Sequence, residues 1–129
     1  MNELLQSDGL MRRLRRGAPL ELEAERVRLP RFTDIREFEQ REFGQKGKEP
    51  LVVARSRTAT WALWPIAKKS AFEVRDAEHF LKLVASVQAQ HPEKPVKGYV
   101  LTVGPISDDS RAKLAQGGHV VSTVVDALA

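Results

Sequence analysis

Residues 97–125 constrain the fold more than any other part of this 129-residue chain. Gly98-Tyr99-Val100-Leu101-Thr102-Val103 is an apolar run rich in β-formers. Ser107-Asp108-Asp109 opens a helix, Gly117-Gly118 closes it, and Val120-Val121-Ser122-Thr123-Val124-Val125 is apolar again. Strand, capped helix and strand in that order make a β-α-β unit. Its two strands run parallel, because a crossover through a helix returns the chain to the same end of the sheet. The fold class is therefore α/β, and the segment carries no chemistry of its own.

The residues ahead of this unit extend it. Asp76 opens the most periodic helix, with Phe80, Leu83, Val84 and Val87 on one face at i, i+3, i+4 and i+7. It stops near His91-Pro92. Residues 51–55 and 60–67 read as two strands of a hairpin turning near Arg55-Ser56-Arg57-Thr58. In the second, Trp61, Ala62, Leu63 and Trp64 make both faces apolar, so both are expected to be covered. Pro65 has no N–H for the ladder, which should loosen there.

Nearer the start, Asp34 and Glu37 have capping-box spacing and Ile35 and Phe38 begin an apolar face, which predicts a helix over 34–43. Residues 20–29 fit either an alternating strand or a helical face; their Glu, Leu, Ala and Arg content favours a helix ending before Pro30. Gly44-Gln45-Lys46-Gly47-Lys48-Glu49-Pro50 is a basic loop without the spacing of a phosphate-binding loop. Arg12-Arg13-Leu14-Arg15-Arg16 lies in a short helix ending at Gly17. Residues 1–17 are thus expected to form a basic N-terminal arm, suited to phosphate or an acidic protein, or else a solvated terminus. Residues 18–129 are expected to form one α/β domain, a small mixed sheet of β-β-α-β-α-β order flanked by helices.

Composition excludes several functions. With 42% hydrophobic and 29% charged residues the chain is expected to be globular. It has no cysteine, which removes disulfides, thiolate catalysis and cysteine-ligated metals. No apolar run approaches the roughly 20 residues that span a bilayer. Met1-Asn2-Glu3-Leu4-Leu5 has neither the basic start nor the apolar core of a signal peptide, so a cytoplasmic protein without membrane contact is expected. The formal net charge of +4 favours an anionic partner.

Catalytic signals are weak. His79, His91 and His119 are scattered, none with a second histidine at ligand spacing. Asp108 and Asp109 follow a strand end where α/β proteins often hold ligands, but acids in a helix's first turn also complement its positive end. No serine sits in a nucleophile elbow. Neither a catalytic residue nor a cofactor is assigned, and the expectation leans away from an enzyme.

The element order over 51–125 resembles the minimal core of the restriction-endonuclease-like superfamily, which includes Holliday-junction resolvases, with helix 34–43 standing for the helix that precedes it. The resemblance implies a nucleic-acid-cleaving fold whose metal is held by an Asp on one strand and a Glu-x-Lys motif on the next. Here Leu51-Val52-Val53-Ala54-Arg55 has no acid, and Ile66 stands two residues before Lys68 where the glutamate would be. Glu49 and Glu73 lie outside that frame. The resemblance therefore implies a degenerate, non-cleaving member with no metal site.

Cations supply the remaining signal. Between residues 46 and 69 stand Lys46, Lys48, Arg55, Arg57, Lys68 and Lys69, against Glu49 alone. Trp61 and Trp64 are interleaved, as in surfaces that grip single strands, although aromatics so placed are more often core. The hairpin would put Arg55 and Arg57 at its turn and Lys48, Lys68 and Lys69 at the opposite end. The expected function is non-enzymatic association with nucleic acid, phosphates meeting Arg12, Arg13, Arg15, Arg16, Arg55, Arg57, Lys68 and Lys69. The alternative is a protein–protein module or subunit: the arm meets an acidic protein, and a free strand edge supports a homo-oligomer.

Overall fold

The structure, a computed structural model, describes residues 3–125. A 3-10 turn (Glu3–Leu5) leads into α1 (Ser7–Arg16), followed by a hairpin of β1 (Leu20–Glu21) and β2 (Arg26–Val27). Then come β3 (Asp34–Phe38), β4 (Leu51–Arg55), β5 (Thr60–Pro65), α2 (Val74–Gln90), β6 (Val96–Thr102), α3 (Asp108–Gln116) and β7 (Val120–Thr123). Strands β3 to β7 form one sheet in sequential order. β3, β4 and β5 are antiparallel neighbours, whereas β6 and β7 continue parallel to β5. The mixed α/β sheet expected from the sequence is present, with α2 and α3 as its crossovers.

Two expected helices are not. Residues 34–38 form an edge strand, pairing from Asp34 opposite Arg55 to Phe38 opposite Leu51. Ile35 and Phe38 are three apart, which puts them on one face of a helix but on opposite faces of a strand. Ile35 packs with the α1 side and Phe38 with the α2 side, so a strand satisfies both apolar layers. The capping box lies further on, between Glu39 and Glu42 of a 3-10 turn at Gln40–Phe43. Residues 20–29 fold as the β1–β2 hairpin instead of a helix. Leu20 and Leu22 are buried while Glu23, Ala24 and Glu25 are exposed. The hairpin is stitched to the β7 side by Glu23 N–H donating to the Thr123 carbonyl at 3.0 Å and by Ala24 N–H donating to Ser122 Oγ at 3.0 Å.

The sheet is covered on both faces, as the apolar character of β5 requires. Trp64, Phe72, Phe80, Leu83, Val87 and Val100 belong to a core that includes α2. Leu4, Leu10, Leu14, Leu20, Trp61 and Leu63 belong to a second core that includes α1. Every residue of β5 is buried. The described part of segment 1–17 is consequently not a free arm: Leu4 and Leu10 are fully buried and Leu14 is 2% exposed. α1 does end at Gly17 as expected, in a left-handed conformation (φ 73°) that glycine adopts without penalty. Among the described residues no helix is long and apolar enough to cross a membrane.

His119 ties β7 to β6. Its Nδ1 accepts the Gly98 N–H at 2.9 Å, which requires a neutral ring. Burial lowers its pKa from the ordinary 6.5. A group that is harder to protonate when folded contributes stability above its unfolded pKa and loses it as pH falls below. Lowering the pH from 7.5 to 5.5 should therefore reduce Tm, and reduce it less in His119→Gln. Parallel melting curves at the two pH values check this, and equal losses in both proteins would remove His119 as the cause.

Candidate nucleic-acid interface

α1 places Arg12, Arg15 and Arg16 on one exposed side, because residues three and four apart are neighbours on a helix. Arg13 turns back onto the fold, donating to the Pro19 carbonyl at 3.2 Å and pairing with Glu3 at 3.3 Å. Arg16 also reaches Glu3, at 3.1 Å.

The C-terminal end of α1 meets arginines that sequence reasoning did not assign. Arg15, Arg16 and Arg31 line a hollow of about 430 Å³ whose apolar lining includes Leu29, Pro30, Phe32 and Ile35. A second hollow, about 320 Å³, adjoins it through Gly17 and Leu29 and is lined by Arg26 and Arg28. Arg26 pairs with Glu21 at 3.0 Å. Among the described residues Arg15, Arg28 and Arg31 have no ion-pair partner. A signal was present in Arg26-Val27-Arg28-Leu29, where cations alternate with apolar residues as in extended chain with one solvated side; Arg31, beyond Pro30, falls outside that alternation. The helical reading of 20–29 concealed it.

Arg55 and Arg57 lie at this same end of the sheet. Thr33 N–H donates to the Arg55 carbonyl at 2.8 Å, laying the Arg31-Phe32-Thr33 stretch beside the β4–β5 turn. Arg55 is paired with Glu93 at 3.5 Å, and Arg57 is exposed. Lys97 Nζ lies 5.7 Å from the centre of the Trp61 ring.

Lys68 and Lys69 are at the opposite end, beyond the carboxyl end of β5, so the eight expected cations do not form one surface. Lys68 is held by Asp76 at 2.7 Å. Burial raises the Asp76 pKa, but the Lys68 hydrogen bond, the Glu73 N–H and the charges of Lys68 and Arg75 outweigh it, leaving the carboxyl below its ordinary 3.8. The pair lines a cavity of about 580 Å³ with Glu49, Trp64, Ile66 and residues from the start of α1. These residues do not fit the metal of a nuclease-like centre: Asp76 is committed to Lys68, Ile66 supplies no oxygen, and no group of three or more ligating acids or histidines occurs among the described residues.

Trp61 and Trp64 are core residues, 4% and 6% exposed, and offer no stacking platform. Trp61 stacks on Tyr99 with centroids 5.2 Å apart, and Trp64 stacks on Phe80 at 5.8 Å. His79 bonds Gln40 at 2.6 Å. Asp108 and Asp109 occupy the first turn of α3, behind a Ser107 hydroxyl that accepts the Ser110 N–H. Of the two edges of the sheet, β3 carries Asp34, Arg36 and Glu37, charges that discourage pairing with another chain.

Comparison with family models, curated proteins and solved structures found no match to this chain.

Proposed function

We propose that this chain binds the phosphate backbone of nucleic acid, without cleaving it, through the arginine-bearing end of its sheet. The observation that carries this reading is the convergence of Arg15, Arg16 and Arg31 on one hollow and of Arg26 and Arg28 on the next. Guanidinium groups suit phosphate because their planar fork donates two parallel hydrogen bonds and stays charged at every working pH. Arg12, exposed on the same side of α1, and Arg57, exposed at the adjacent β4–β5 turn, extend the charge, whereas Arg55 shares the α2 face of the sheet with Leu51 and Val53 and is held by Glu93. Contacts of this kind give affinity and orientation but no choice of sequence.

A degenerate nuclease-like core belongs to the same proposal. In its support, α1 precedes a sheet whose antiparallel strands lead through α2 into parallel ones; residues 34–43, assigned that preceding helix from the sequence, do not supply it. A cytoplasmic setting is part of the proposal, since such a ligand is met there.

The test is fluorescence anisotropy with labelled nucleic acid across a salt series. Binding is expected to weaken log-linearly with salt, and each lost phosphate contact should flatten the slope by about 0.9 on duplex DNA and about 0.7 on a single strand. Replacing Arg15, Arg28 and Arg31 together with glutamine should weaken binding at least tenfold, on the order of 0.5 kcal/mol or more per contact. Lys68→Gln with Lys69→Gln should leave it unchanged. Absence of binding at low salt would reject the proposal and turn attention to an acidic protein as the partner of these arginines.

A further inference from the structure

We infer that the hollow between Arg15, Arg16 and Arg31 seats one unstacked base of a single-stranded nucleic acid, its flanking phosphates held by the arginines. The inference rests on the phosphate-binding reading and names the strand form that this site prefers. Its ground is a lining that phosphate alone does not need. Besides the three arginines, the hollow presents Leu29, Pro30, Phe32 and Ile35. Leu29, Phe32 and Ile35 pack against the α1 core and are only partly covered by it, which leaves an apolar wall among the cations that a base face can meet.

Phe32 is half-buried and held in place: its ring meets Trp61 edge-on, with centroids 5.4 Å apart and planes at 81°. A ring so fixed loses little freedom when a ligand stacks on it, which favours binding. The volume of about 430 Å³ lies in the lower part of the range occupied by small-ligand sites, the scale of a single nucleotide and not of a helix of paired strands.

The chemistry separates the two forms of nucleic acid. In a duplex the base faces are stacked against each other, and a protein meets only edges and phosphates. A single strand exposes its base faces, and aromatic side chains among cations take them with little regard to sequence. The neighbouring hollow, with Arg26 and Arg28, shares Gly17 and Leu29 with the first and offers two more cations to a strand that runs on from it.

The experiment compares three fluorescein-labelled probes across one salt series: a twelve-nucleotide oligothymidine, the same strand with abasic sites throughout, and the matching duplex. Intact single strand is expected to bind about tenfold more tightly than the abasic strand, the scale of one base stacked on an aromatic ring. It is also expected to bind more tightly than the duplex. Phe32→Leu, which keeps apolar volume beside Trp61, should erase the advantage over the abasic strand and leave the salt slope unchanged. Phe32→Tyr should preserve both. Equal affinity for intact and abasic strands in the wild-type chain overturns the base seat, and needs no variant that must fold. If that equal binding still weakens with salt and with loss of Arg15 and Arg31, the phosphate-binding reading stands alone. If no probe binds at low salt, both fail.

Discussion

Leu10→Ala is expected to lower the stability of the folded chain by about 3 kcal/mol, within the range measured for buried leucines truncated to alanine. Leu10 is fully buried on α1 and belongs to the core that also holds Leu14, Leu20 and Trp61. Removing it takes away apolar contact and leaves a cavity that α1, whose last turn is held by Arg13 and Arg16 on Glu3 and by the Arg13–Pro19 bond, closes only in part. The exposed Arg12 on the same helix serves as control, and Arg12→Ala should change stability by less than about 0.5 kcal/mol. Urea unfolding followed by tryptophan fluorescence reads the effect, since both tryptophans are buried and report on one face each. An unchanged midpoint in Leu10→Ala would mean that the helix is not part of the cooperative unit and that residues 1–17 act as an arm after all.

Gly98→Ala is expected to cost about as much, through overpacking instead of a void. A Cβ at position 98 would stand 2.7 Å from Phe80 Cε2 and 2.9 Å from His119 Nδ1. Neither neighbour yields readily. Phe80 is fully buried and stacked on Trp64 with planes only 4° apart, and His119 is held by the Gly98 N–H itself. A loss of about 3 kcal/mol corresponds to roughly 10 °C in Tm for a domain of this size. The double variant Gly98→Ala with Phe80→Leu should be less destabilised than the sum of its parts, because the smaller side chain relieves the clash. Strict additivity would show that the ring is not what excludes the methyl group.

Where sequence reading succeeded and failed follows from the range of the forces involved. The crossover strands, α2 and α3 were legible because their signals are local: the Ser107 cap, the Phe80-Leu83-Val84-Val87 face and the glycines after Gln116 act within a few turns of chain. β3 was not, because Ile35 and Phe38 serve two separate cores, and a pattern three apart looks the same whether one helix face or two sheet faces receive it. The hairpin at 20–29 misled for a related reason. Its glutamates and arginines are good helix formers, yet bonds to Ser122 and Thr123, about a hundred residues away, hold it extended.

The distribution of the cations shows the same division. Arg12, Arg15 and Arg16 stood out as a run, and helical geometry puts them on one side. That Arg13 is spent on Glu3 and Pro19, that Lys68 is held by Asp76, and that the two tryptophans are buried required the folded chain. So did the meeting of Arg15 and Arg16 with Arg31 beside the half-buried Phe32.

By itself, then, the sequence determined an α/β chain with a parallel crossover at its end, a helix stopping at Gly17, a strand needing cover on both faces, and a surplus of cations without an evident catalytic set. Those properties depend on residue type and on spacing along the chain. Only the tertiary structure decided which face each apolar residue serves, which cations are neutralised, and which arginines gather around one hollow. These are relations between segments far apart in sequence, set by the packing of α1 and the hairpin against the sheet, and no local pattern encodes them.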